Sequence, residues 1–120
     1  MKSLALFIFL FLCSPNARSE DIVIGGDDIA DACPSLAAVK AKNFIYLRTA
    51  PSISANVVGK LSRGRRFLVC TEINGWYSVV VPKNDNIDCG VSTPWPTKRK
   101  FKGLCKEGWV EIRQADILAD

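Results

Sequence analysis

A chain of 120 residues carries 16 Lys+Arg against 12 Asp+Glu, five cysteines and no histidine, for a formal net charge of +4. That length allows one domain with a modest core. The missing imidazole removes the commonest general base, and no serine sits in a Gly-x-Ser-x-Gly elbow, so the composition argues for binding and against an enzyme.

Met1-Lys2-Ser3 brings one positive charge and is followed by an apolar run over residues 4 to 13. Polar Ser14-Pro15-Asn16 and the small-x-small triplet Ala17-Arg18-Ser19 come next. Together these parts make a secretory signal peptide over residues 1 to 19, with cleavage expected after Ser19. The apolar run is ten residues long, about half of the roughly 20 that a membrane span needs. No later stretch approaches that length, so no transmembrane segment is expected. Acylation at Cys13 would be the lipoprotein alternative, but Leu12 is bulky where a small residue is required.

Removing 19 residues leaves 101, with Cys33, Cys70, Cys89 and Cys105 as the remaining cysteines. Four cysteines in a small exported chain read as two disulfides, with three pairings open, and place the protein in the periplasm or outside the cell. A zinc site competes for the same residues. No spacing here resembles a Cys-x-x-Cys knuckle, however, and there is no histidine to complete one. Asp85-Asn86-Ile87-Asp88 lacks the glycine and terminal glutamate of a calcium loop. No metal or cofactor is expected.

Charge is unevenly spread. Glu20, Asp21, Asp27, Asp28 and Asp31 fall within residues 20 to 31 with no base among them, so the chain from Ala32 onward holds 14 bases against 7 acids, or +7. Such a body either folds the acidic leader onto itself or turns its positive face to an anionic partner, with plain solubility as the bland reading. Asp21-Ile22-Val23-Ile24-Gly25-Gly26 reads as a short edge strand or a flexible arm. Asp27-Asp28-Ile29-Ala30-Asp31-Ala32 has the acids of a helical first turn, which Pro34 limits to one turn. Residues 35 to 42 carry little signal of their own.

From residue 44 to 77 three short apolar runs, rich in β-branched and aromatic residues, are separated by turn chemistry. Pro51 presets a turn, Gly59 and Gly64 allow positive φ, and Asn74-Gly75 is a two-residue hairpin signal. The pattern predicts a small, bent antiparallel β domain.

Leu47-Arg48-Thr49-Ala50-Pro51-Ser52, Val57-Val58-Gly59-Lys60-Leu61, Asn74-Gly75-Trp76-Tyr77 and the late Gly108-Trp109-Val110 resemble the bacterial Src-homology-3 domain, with Ala50 where that family commonly has glycine. The resemblance covers residues 40 to 118. It implies an all-β, SH3-like barrel or roll of five to seven antiparallel strands over residues 40 to 120, behind a partly ordered acidic arm at 20 to 39. It also implies a binding role, with cell-wall peptidoglycan, its stem peptides or a wall-acting protein as the ligand class.

By the period of two along a strand, Tyr46 and Arg48 share one face of the first barrel strand, and Ile45 and Leu47 the other. The expected core is Ile45, Leu47, Val58, Leu61, Phe67, Val69, Val79, Val110 and Ile112. Trp76-Tyr77-Ser78-Val79-Val80-Val81 makes the clearest strand, ended by Pro82. Trp76 and Trp109 read first as core or barrel-closing aromatics and second as ligand platforms, and Trp76 and Tyr77 rank as secondary candidates for ligand contact. Arg63-Gly64-Arg65-Arg66 reads first as a solvated turn between strands and second as a contact for an anionic partner.

Between the last two barrel strands, where the family has a short connection, residues 82 to 107 form an insertion of 26. Connections of that length are often functional. Pro94-Trp95-Pro96 holds a tryptophan in an extended segment, and Lys98-Arg99-Lys100-Phe101-Lys102 follows it. Trp95, Arg99 and Phe101, with Tyr46 and Arg48, are therefore the first candidates for ligand contact. Trp95 covering an open end of the barrel, with the lysines alternating outward on an edge strand, is the structural alternative. Pairing Cys89 with Cys105 would tie off this insertion and leave Cys33 with Cys70. A loop of about 15 residues so closed adds roughly 3 kcal/mol in the chain-entropy model.

These readings converge on an exported, non-catalytic binding module for peptidoglycan or an envelope protein. A periplasmic inhibitor or immunity protein of a wall-degrading enzyme, with the insertion as a rigid wedge, is the alternative from another class. An accessory subunit of an envelope complex, docked through the acidic arm, is a third. Basic residues interleaved with an aromatic also occur in nucleic-acid binders, but export argues against that partner.

Overall fold

The computed structural model describes residues 18 to 120, so the charged start and apolar run of the expected signal peptide lie outside the described residues. Nine strands follow in order: β1 (Val23–Ile24), β2 (Ser35–Val39), β3 (Phe44–Arg48), β4 (Val57–Ser62), β5 (Arg66–Ile73), β6 (Trp76–Val81), β7 (Arg99–Lys100), β8 (Lys106–Glu111) and β9 (Ala115–Ala119). A single turn of 3-10 helix, Ile112–Gln114, joins the last two. Seven strands form one antiparallel sheet in the order β4-β3-β8-β6-β5-β2-β9, and β1 pairs with β7 in a small sheet of its own. Among the described residues no ladder joins edge strand β4 to edge strand β9.

The turn chemistry explains the hairpins. Asn74 and Gly75 both take positive φ, 47° and 91°, the backbone that matches the twist of two paired strands and that Asn and Gly tolerate best. Ile73 and Trp76 consequently face each other across β5 and β6. Gly64 turns in the same way at φ 82°. Gly59 does not: it lies inside β4, opposite Leu47 of β3.

One face of the sheet closes over a core containing Ile45, Leu47, Leu61, Phe67, Val69, Val79 and Val110, all from the expected set. The two exceptions have local causes. Val58 falls where the β3–β4 register shifts, between partners Gly59 and Val57, and points to solvent. Ile112 sits in the 3-10 turn, where strand alternation has stopped, and is only half-buried.

A second core lies on the opposite face. Trp76 and Val80 of β6 and Trp109 of β8 are covered there by Ile22 and Ile24 from the arm and by Val91, Trp95 and Phe101 from the insertion. Backbone hydrogen bonds stitch the two covering segments together: Gly26 N donates to Trp95 O (2.7 Å), Phe101 N to Ile22 O (2.8 Å) and Cys33 N to Val91 O (2.9 Å). Strand β6 is thus buried on both sides, apart from Tyr77.

Two disulfides pin this layer. Cys33–Cys70 fastens the arm to β5, and Cys89–Cys105 closes the insertion. Gly25 permits the close approach of arm and insertion. Its φ is 97°, and a Cβ there would lie 2.9 Å from both Thr97 O and Trp95 Cβ, closer than side-chain carbons come. The helical turn expected after it does not form. Asp27 Oδ1 instead accepts from the Ile29 and Ala30 amides (2.7 and 3.0 Å), the local side-chain capture that lets Asp compete with helix. The arm continues into β2, which lies between β5 and β9.

Candidate functional site

Strand β3 alternates as its sequence dictates. Ile45 and Leu47 turn into the core, while Phe44 and Tyr46 remain 38% and 41% exposed. Arg48 pairs with Trp109 of β8, and paired residues share a face of the sheet. Phe44, Tyr46 and Arg48 therefore lie on the same face as the second core, beyond the part that arm and insertion cover.

The exposed side chains organise one another. The Phe44 and Tyr46 rings meet edge to face with centroids 5.2 Å apart. Arg48 Cζ lies 5.4 Å from the Tyr46 centroid, and Lys60 Nζ, from the position opposite Tyr46 on β4, lies 4.4 Å from the Phe44 centroid. Arg48 is anchored by donating from Nη1 to Ala55 O (3.0 Å). Beside this strip runs a shallow cleft of about 190 Å³, lined by Phe44, Tyr46, Arg48, Trp76, Glu111 and Gln114. Glu111 accepts from Arg113 Nε at 2.8 Å. The face offers aromatic surface, a cation and a carboxylate, which is the equipment for stacking and charge-assisted hydrogen bonding.

The seven expected contact residues therefore separate into three places. Tyr46, Arg48 and Trp76 come together at this cleft, Trp76 as a buried wall. Tyr77 points the other way, half-buried against the first core. Trp95, Arg99 and Phe101 form a third group, and the accessible aromatic surface expected there is not found. Trp95 is 7% exposed and Phe101 2%. Trp95 Nε1 donates to Gly90 O (2.9 Å) and Arg99 stacks over its ring at 3.7 Å. Pro94 makes an isolated bridge to Asp31, with bends on either side of Pro94-Trp95, and the arm provides an apolar partner strand that the insertion alone lacks. Phe44, Lys60 and Glu111 are the site residues that the sequence reading passed over. For Phe44 a signal existed, because it continues the outward alternation Phe44-x-Tyr46-x-Arg48.

Elsewhere, Thr49 Oγ1 and Glu107 Oε2 are buried and have no hydrogen-bond partner among the described residues. Burial pushes the Glu107 carboxyl above its ordinary range. The Lys100 charge opposes that rise, and the Asp21 charge adds to it. Asp27 shifts the opposite way, lowered by the amides of Ala30 and Ile29 that it accepts from.

Among the described residues no group of three or more His, Cys, Asp or Glu is placed to hold a metal ion. Nor is any helix there long and apolar enough to cross a membrane. The two disulfides fit an oxidising compartment. In comparisons with family models, curated proteins and solved structures, none matches this chain. The likeness to bacterial Src-homology-3 domains accordingly rests on the sequence motifs.

Proposed function

We propose that this chain is an exported, SH3-like binding module of the periplasm or extracellular space that recognises peptidoglycan, or a protein bound to it, without catalysing a reaction. The observation that carries this reading is the aromatic and cationic strip Phe44, Tyr46, Arg48 and Lys60 beside the Glu111 cleft. Ring faces pack on the apolar faces of sugars, Arg48 pairs with a stem-peptide carboxylate, and Glu111 accepts from a stem-peptide amine. The test is co-sedimentation with purified wall sacculi. Wild type is retained and Phe44→Ala/Tyr46→Ala is released, whereas equal retention of both rejects the site.

A second reading, an inhibitor or immunity protein of a wall-degrading enzyme, draws on a different observation. Leu104 stands wholly exposed next to bridged Cys105, a rigid apolar tip suited to a preorganised wedge. That reading requires a stoichiometric complex with a soluble enzyme, abolished by Leu104→Asp and indifferent to Phe44 and Tyr46.

A further inference from the structure

A second concavity, larger than the one beside β3, lies elsewhere on the molecule. A cleft of about 390 Å³ opens between β4 and the ends of β6 and β8, within the size range of small-ligand sites, roughly 300–1,000 Å³. Leu61 and Val81, both buried, contribute apolar lining. Its charged lining is of one sign: Lys60, Arg65, Lys83 and Lys106, with neither Asp nor Glu among the lining residues. None of these four makes an ion pair among the described residues, where the pairs are Lys100–Asp21 and Arg113–Glu111.

Like charges around one concavity repel, and low-dielectric walls concentrate their field on whatever enters. The side chains are also held in place. Arg65 Nη2 donates to Pro82 O (2.6 Å) and Lys83 O (3.2 Å), which fixes the guanidinium and leaves its Nε and Nη1 donors without a partner among the described residues. Lys106 Nζ reaches over Gly59, where a Cβ would stand 3.4 Å from it, and its bond to Val58 O is a long 3.4 Å. Glycine inside a strand often marks such a close approach. A single carboxylate would leave the cluster strongly positive. A phosphate brings up to two charges and several acceptor oxygens to the same point.

We propose that this cleft is a phosphate-binding site, taking a phosphomonoester or diphosphate carried either by a soluble molecule or by a lipid headgroup. It shares Lys60, whose ammonium lies over Phe44, with the β3 strip but rests on Arg65, Lys83 and Lys106, and so stands whether or not peptidoglycan is the ligand at β3. Wholly exposed Leu104 also lines the cleft, and in the lipid case it enters the acyl region.

Calorimetric titration with inorganic pyrophosphate, and flotation with phosphatidylcholine vesicles with and without phosphatidic acid, test it. Wild type is expected to bind at least one of the two probes saturably. Lys83→Gln/Lys106→Gln, which keeps the Arg65 bonds to the backbone, weakens that binding about tenfold or more, the equivalent of one charge-assisted hydrogen bond. Lys98→Gln/Lys102→Gln, with the same loss of charge away from the cleft, changes it less than about twofold. Pyrophosphate binding without vesicle binding identifies a soluble ligand. Capture only by phosphatidic acid vesicles, reduced by Leu104→Ser, identifies a headgroup. Absence of saturable binding to either probe, or equal weakening by the two double variants, overturns the proposal.

Discussion

The outer face of the main sheet is two regions with opposite fates. Over β5, β6 and β8 it is roofed by the arm and the insertion, and Trp76, Trp95, Phe101 and Trp109 are all buried there. Over β3 it is bare, and Phe44 and Tyr46 stay more than a third exposed. Both regions are rich in aromatics and bases, so residue type does not separate them. What differs is whether a second layer of chain lies above the strand. An aromatic beside prolines and lysines is therefore no sign of a ligand surface until the covering segments have been placed.

The sharpest way to break this comparison is to remove matched aromatics from the two regions. Trp95→Ala empties the roofed side and is expected to destabilise the fold by about 3–5 kcal/mol in urea unfolding; a near-neutral result would mean that the roof is not a second core. The disulfides come next. For sequence separations of 37 and 16 residues, Cys33→Ser/Cys70→Ser should lose about 4 kcal/mol and Cys89→Ser/Cys105→Ser about 3 in the same measurement. Gly25→Ala, which strains a positive-φ position in the seam between arm and insertion, should lower stability by about 1–3 kcal/mol and depress Tm accordingly.

Glu107 sharpens the comparison through pH. Burial raises its folded pKa, so between its ordinary value of 4.5 and that raised value the native state binds more protons than the unfolded chain. Stability from this group therefore falls as pH rises through that window, and stays at its lowest above it. Glu107→Gln is expected to be more stable than wild type at neutral pH, with the gain shrinking toward pH 4.5. A gain unchanged across that range would assign it to something other than ionisation. The smallest effect belongs to the bare side. Tyr46→Ala should move stability by no more than about 0.5 kcal/mol while weakening retention on sacculi, and a large destabilisation would show that β3 is roofed after all.

Much of the first core was legible because it depends on local rules. Period-two alternation placed Ile45, Leu47, Phe67, Val69, Val79 and Val110 inward, and Asn74-Gly75 fixed the β5–β6 register. Strand β2 escaped because Ser35-Leu36-Ala37-Ala38-Val39 is mostly small residues with little β preference, and its place is set by β5 and β9, both far from it in sequence. The second core depends on contacts equally distant in sequence, yet two traces of it were present. Trp76-Tyr77-Ser78-Val79-Val80-Val81 is apolar almost throughout, the mark of a strand buried on both faces. Lys100-Phe101-Lys102 alternates as a half-buried strand does, and Ile22-Val23-Ile24 is a short β-branched apolar run of the kind that enters sheets. Tyr46 and Arg48 were found by the same alternation, whereas Lys60 and Glu111 reach the site only through pairing across strands.

The Cys89–Cys105 bridge closes the insertion between β6 and β8. A protease that cuts one bond between residues 90 and 104 severs the backbone but releases no fragment, since both new ends remain joined through sulfur. The nicked chain migrates as one species until a reductant is added, and a single cleavage in its longest loop leaves it in one piece.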